Sequence, residues 1–123
     1  MPTWSAPVRY AEVDQQGVVF NSHYLLYCDE AMGAFCEQLG LREFVAAVRL
    51  VKATVTWSGP AHWGDVVDVD ARCTKVGRTS ATIAFEIRAA DRPCCTVETI
   101  YVFADPQGTP IPIPDDTRAT LLG

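Results

Sequence analysis

The chain has no apolar run approaching the ~20 residues that cross a bilayer as a helix, so no membrane span is expected. It is poor in positive charge. Its 10 Lys and Arg are scattered and stand against 15 Asp and Glu, for a net charge of −5. Phosphate backbones are bound by clustered basic side chains, and nucleic acid is therefore not expected as a partner. Paired cysteines are missing as well: the five, Cys28, Cys36, Cys73, Cys94 and Cys95, are odd in number and include no Cys-x-x-Cys. The adjacent Cys94 and Cys95 suit neither metal-ligand spacing nor an easy disulfide, so reduced, mostly buried thiols are expected, with no metal and no cofactor. Only two histidines, His23 and His62, are available as the base for a cysteine nucleophile. The opening MPTWSAPVRY lacks the basic and apolar segments of a secretory leader, and the cytoplasm is the expected location.

What is present is enough for a core. With 123 residues, 49% hydrophobic and 20% charged, the chain fits one domain of ordinary size over residues 1–123, without internal repeats. Residues 8–13 alternate loosely as a half-buried strand does. Asp14-Gln15-Gln16-Gly17 reads as a turn, with Gly17 free to take positive φ. A helix is expected over about 22–39, where Leu25, Cys28, Met32, Phe35, Cys36 and Leu39 recur at three- and four-residue steps. Asn21 or Ser22 is placed to cap it, and Gly40 to stop it in the left-handed region. From about residue 48 the period changes to two. Val51, Ala53, Val55 and Trp57 alternate with polar residues, as do Val67, Val69, Ala71 and Cys73, then Ala81, Ile83, Phe85 and Ile87. Residues 96–103 make a last strand rich in β-branched and aromatic side chains. Short connections between long strands imply antiparallel pairing. The outline is α+β: a strand, a long helix, then four strands whose apolar face must cover that helix. The tail is rich in proline, with a short helix expected from Pro114-Asp115-Asp116.

The stretch from Val8 to Ala31 carries the chemistry-bearing groups. A carboxylate, Asp14, leaves a strand just before a helix N-terminus, which offers unpaired N–H groups and the positive end of a dipole. A carbonyl held there is polarised while Asp14 works on its carbon or on a water. The plainer reading makes Asp14 a turn residue, a common role for Asp.

Arg9-Tyr10, then Asp14, Gly17-Val18-Val19, Asn21, Tyr24, Tyr27 and Glu30-Ala31, in this order and spacing, resemble a hotdog-fold acyl-CoA thioesterase of the 4-hydroxybenzoyl-CoA thioesterase type. Pro60-Ala61 with Asp65 resembles that family's link between strands, Gly77-Arg78-Thr79-Ser80 its small polar hairpin, and 110–114 with Arg118 its ending. The resemblance covers nearly the whole chain. It implies a five-stranded antiparallel sheet wrapped around one long helix. It implies a homo-oligomer too: two subunits join their sheets edge to edge, active sites form at the interface, and dimers often pair into a homotetramer. Asp14 matches the catalytic carboxylate, as nucleophile or as general base on water. Asn21 matches the residue whose backbone N–H polarises the thioester carbonyl. Gly17 permits close approach of the acyl chain or of the turn itself, His23 in the first helical turn is a candidate to position substrate or water, and Tyr24 a candidate to line the pocket. Arg78, with Thr79 and Ser80 beside it and Lys75 and Arg72 close in sequence, is a candidate to meet the phosphates of coenzyme A, since Arg binds phosphate bidentately.

Each of these has a plainer role beside it: capping for His23, a core position for Tyr24, solvation for Arg78. Glu30 reads as structural rather than as a second base. Trp57 and Trp63 suit either an acyl or aryl pocket or a dimer interface. The turn carries Gln15-Gln16 where relatives often have smaller residues or proline, which alters the pocket mouth. The expectation is a cytoplasmic thioesterase that cleaves an acyl-CoA or aroyl-CoA to free acid and CoA. The alternatives are a non-catalytic acyl-CoA-binding hotdog module and a thioesterase acting on carrier-protein thioesters; for the latter, a charge of −5 offers little basic rim. A hydratase fits less well, since His23 lies nine residues beyond Asp14.

Overall fold

The computed structural model describes residues 1–123. Five antiparallel strands form one sheet in the order β1-β3-β4-β5-β2, with β1 at Trp4–Pro7, β2 at Val48–Trp57, β3 at Val66–Val76, β4 at Ser80–Ala89 and β5 at Arg92–Phe103. Helix α1, His23–Gln38, lies on one face of the sheet. Two shorter helices follow, α2 at Arg42–Ala47 and α3 at Asp115–Leu122.

The period-two strands sort their side chains as expected. Val67 and Val69 of β3, Ile83, Phe85 and Ile87 of β4, and Cys95, Val97 and Tyr101 of β5 are buried on the inner face. There they meet Tyr24, Tyr27, Cys28, Ala31, Met32 and Cys36 of α1. Burial of a large apolar side chain stabilises by roughly 1.5–3 kcal/mol, so this contact is what closes the sheet over the helix. The outer face is polar: Asp70, Arg72, Glu86, Arg88, Thr96 and Glu98 alternate with the buried set, and Arg88 pairs with Asp70 at 2.8 Å.

Gly40 ends α1 at φ +71. The Leu41 N–H donates to the Cys36 carbonyl at 2.8 Å and the Gly40 N–H to the Glu37 carbonyl at 3.1 Å, a Schellman stop. The five cysteines are free. Burial pushes the Cys95 thiol up to about 12 and the Cys36 thiol up to about 11, which keeps both protonated and unreactive.

Three expectations need correction. Residues 8–13 are not a strand. The first strand is Trp4–Pro7, paired with β3, and Tyr10–Glu12 is a 3-10 turn. The cause is Glu12, whose carboxylate turns back to accept the Arg9 N–H at 2.9 Å and so favours a turn over a ladder. Neither Asn21 nor Ser22 caps α1 through its side chain; Ser22 takes the N-cap position with a helical backbone, φ −68 and ψ −23. Helix α2 was also unforeseen, six residues being too few to show a helical period.

Strand β2 is an edge. It pairs with β5 on one side only, and it exposes Leu50, Val51 and Trp57, Val51 at 59%. Edges with unpaired backbone groups and apolar side chains invite another strand.

Candidate active site

Asp14 sits at the tip of a small loop tied to its neighbours by backbone bonds. Val13 bridges Val19, and the Asp14 N–H donates to the Val18 carbonyl at 2.9 Å. The Gly17 N–H donates to the Asp14 carbonyl at 3.0 Å, and Gly17 takes φ +76, where a side chain would be strained. The carboxylate accepts the Gln16 N–H at 2.8 Å and otherwise faces solvent. The loop before β3 packs on this turn from the other side: Val18 bridges His62, the Trp63 N–H donates to the Gly17 carbonyl at 2.9 Å, and the Val19 N–H donates to the Ala61 carbonyl at 2.9 Å. Trp63 and Tyr10, both exposed, meet edge to face at 5.2 Å.

Nine residues beyond Asp14, at His23, the chain enters α1. The His23 N–H donates to the Phe20 carbonyl at 2.9 Å, and the Phe20 N–H to the Glu12 carbonyl at 3.0 Å. The backbone N–H groups of Asn21 and Ser22 have no partner within the chain. With no side-chain cap in the way, two donors stand free at the positive end of the helix dipole. An exposed acid and a pair of free N–H groups are therefore carried by one short segment, and together they suit polarisation of a carbonyl and attack on its carbon.

Glu12, which sequence reasoning passed over, is 4% exposed. Its carboxylate accepts the Arg9 N–H at 2.9 Å, Arg9 Nε at 3.0 Å, Arg9 Nη2 at 2.9 Å and the Tyr27 hydroxyl at 2.9 Å. Burial opposes its charge, yet these donors hold the carboxyl below the usual range. The signal available in the sequence was an acid three residues after Arg9 inside an otherwise apolar alternation. A cavity of about 270 Å3, lined by Trp4, Pro7, Leu26, Tyr27 and Glu30 among others, opens beside this network.

The other expected positions divide into two groups. Gly17 closes the Asp14 turn and His23 opens α1; His23 is half-buried and its ring has no hydrogen-bond partner. Tyr24 is buried, its hydroxyl accepts the Ala61 N–H at 3.0 Å, and its ring meets Trp57 edge to face at 6.3 Å. In this chain it belongs to the core. Arg78, Thr79 and Ser80 form the β3–β4 hairpin with Arg78 exposed. That hairpin is at the far end of β3 from the Asp14 turn, which packs on residues 61–65. The eleven residues of β3 put roughly 30 Å of strand between the two groups.

A model of the Thioesterase superfamily matches residues 16–96. The chain belongs to that superfamily. The 1,4-dihydroxy-2-naphthoyl-CoA hydrolase of Synechococcus elongatus is 26% identical to this thioesterase over 107 residues, 81% of this chain and 79% of the relative. The chloroplastic acyl-acyl carrier protein thioesterase ATL3 of Arabidopsis thaliana is 31% identical over 124 residues, 94% of this chain and 64% of the relative. A solved thioesterase of Thermus thermophilus, complexed with coenzyme A and Zn, superposes with a TM-score of 0.88 at 23% identity, over 96% of this chain and 89% of that one. By family and by architecture this chain is a hotdog thioesterase.

Proposed function

We propose that the chain, one domain over residues 1–123, hydrolyses an acyl-CoA or aroyl-CoA thioester, water and thioester giving free acid and the CoA thiol. The observation that carries this reading is the pairing of an exposed Asp14 carboxylate with unpaired N–H groups at Asn21 and Ser22. The thioester carbonyl oxygen accepts the Asn21 N–H, aided by the α1 dipole. One such donor is worth roughly 3 kcal/mol in the transition state of acyl transfer. Asp14 either attacks the carbonyl carbon, forming an anhydride that water opens, or takes a proton from the attacking water. Both routes return the carboxylate unchanged. Gly17 lets the acyl group approach the turn, and the half-buried His23 borders the path. Relatives named for 1,4-dihydroxy-2-naphthoyl-CoA support an aroyl group as one substrate class.

The groups for the phosphates, Arg78 with Thr79 and Ser80, stand too far along β3 to serve the Asp14 of their own chain. A homodimer joined through the exposed β2 edges brings a second copy into play, and we place each site between one copy's Asp14 turn and the other's hairpin. A homotetramer adds no residue that the two ends require. The free thiols fit a reducing compartment such as the cytoplasm.

The test compares wild type with Asp14→Asn on a panel of acyl-, phenylacetyl- and benzoyl-CoA, reading thiol release and checking both folds by circular dichroism. Wild type cleaves at least one member, and the folded variant loses ~10²-fold or more, within the range for a positioned acid–base group. Equal rates remove Asp14 from the chemistry. Cleavage confined to carrier-protein thioesters supports the substrate class in the name of the Arabidopsis relative. Binding of acyl-CoA without cleavage makes the chain a binding module.

A further inference from the structure

Two acids stand two residues apart on the segment that carries the chemistry, and their surroundings are opposite. Asp14 faces solvent, while Glu12 is buried and accepts four hydrogen bonds. Those bonds join three pieces of chain. The Arg9 N–H and guanidinium belong to the exit from β1, and the Tyr27 hydroxyl belongs to α1, on the turn after its start. Through its backbone, the Glu12 carbonyl accepts the Phe20 N–H at 3.0 Å, and Phe20 immediately precedes Asn21. Asp14 hangs from the same knot by way of the Val13–Val19 bridge.

The packing around the knot makes these bonds decisive. On the side of Trp4, Pro7, Leu26 and Glu30 lies the cavity of about 270 Å3, so no close-packed side chains brace the turn from there. Hydrogen bonds to the carboxylate hold it instead. Arg9 answers the charge of Glu12 at 2.9 Å, so the buried acid is neutralised locally.

We propose that Glu12, held by the Tyr27 hydroxyl and by Arg9, is a positioning residue that sets the Asp14 carboxylate against the Asn21 N–H. It touches no reacting atom. The inference rests on the roles given to Asp14 and Asn21 under Proposed function. Misplacement of reacting groups by about 1 Å costs up to ~10²-fold in rate, which sets the size of effect to look for.

The experiment measures kcat and KM on the best thioester of the CoA panel for wild type, Tyr27→Phe, Glu12→Gln, the double variant and Asp14→Asn, well below each protein's Tm. Tyr27→Phe keeps the ring in the core and removes only the hydroxyl. It lowers kcat ~10-fold with KM unchanged. Glu12→Gln lowers kcat further, again without moving KM, and the double variant is no worse than Glu12→Gln alone, because both act through one network. Should Glu12→Gln fail to fold, Tyr27→Phe still decides. Unchanged kcat per folded molecule in the variants, with Asp14→Asn inactive, overturns the positioning role and leaves the proposed chemistry standing. Full activity in Asp14→Asn, or no thioester cleaved by wild type, overturns both.

Discussion

The two ends of strand β3 are built differently, and the contrast explains how a chain this small can hold a site. At the start of β3, loop backbone packs on loop backbone: the Val8 N–H donates to the Asp65 carbonyl at 2.8 Å, and the Trp63 N–H to the Gly17 carbonyl at 2.9 Å. That end carries the exposed Asp14 and the free N–H groups of Asn21 and Ser22, and its arginines, Arg9 and Arg92, are paired with Glu12 and Asp65. At the other end the hairpin is strapped from outside by the tail. Arg118 Nη1 donates to the Val76 carbonyl at 3.0 Å, and the Ile113 N–H to the Arg78 carbonyl at 2.9 Å. That end offers an exposed cation, Arg78. On the function proposed above, the first end serves the chemistry and the second the anion, and neither suffices alone. In the homodimer proposed above, the second copy, paired along β2, supplies to each end what it lacks.

The strongest way to break this comparison is to keep both ends and prevent the pairing. Leu50 and Val51 are exposed on the β2 edge, and charge on an edge discourages strand addition. Leu50→Lys with Val51→Lys therefore gives a folded monomer that cleaves no thioester. Sedimentation and thiol release read the two consequences together, and a fully active monomer would show that one chain suffices.

Next in size is the loss of the phosphate-binding end. Arg78→Ala raises KM for a CoA thioester by ~10-fold with kcat kept, as expected for a hydrogen bond to a charged group. The sharper form mixes two defective chains. An Asp14→Asn copy paired with an Arg78→Ala copy has one site with both defects and one with neither. At low substrate, mixing equal amounts restores about one-quarter of wild-type activity if the dimer is symmetric and its sites are shared. No recovery after subunit exchange would place Asp14 and Arg78 in separate sites.

A smaller effect tests the strap. Arg118→Ala removes one bond to the Val76 carbonyl, worth about 1 kcal/mol. It raises KM by no more than several-fold and leaves kcat alone, because the Asp14 end is untouched. A fall in kcat with constant KM would mean that the two ends are coupled through the sheet.

Much of this was legible in the sequence because burial follows period. The three- and four-residue steps from Leu25 to Leu39 mark α1, and the alternations after residue 48 mark β2 to β5, since each of those elements has one face to hide. Gly40 and the 77–80 hairpin were equally readable, being fixed by local backbone needs. What escaped was decided by specific bonds. β1 follows Pro2 and ends in Pro7, and proline argues against a strand except at an edge, which is where β1 is. Glu12 drew no reading of its own within the expected strand, and its carboxylate faces inward to Arg9 and Tyr27. At the candidate site, the order Asp14, Gly17, Asn21 pointed to the segment on which the proposed chemistry rests. That no side chain caps α1, leaving the Asn21 N–H free, was not readable, since Asn and Ser are both strong caps by type.

The smallest expected effect separates the two acids by pH. The Glu12 carboxyl is depressed below the usual carboxylate range despite its burial, because Arg9 and Tyr27 donate to its charged form. A group whose folded value is depressed stabilises fully above its unfolded value, about 4.3 for Glu. That contribution is lost as pH falls through the folded value. Wild type is therefore more stable than Glu12→Gln at neutral pH, and the gap narrows as the solution is acidified below about pH 4. Urea midpoints taken at steps from neutrality to acid read this directly. Asp14 is exposed and its carboxylate accepts only the Gln16 N–H, so at neutral pH Asp14→Asn stays folded while its activity is gone. A gap for Glu12→Gln that stays constant with pH would mean that shape rather than charge holds the turn. The segment would then be braced by packing after all, despite the cavity beside it.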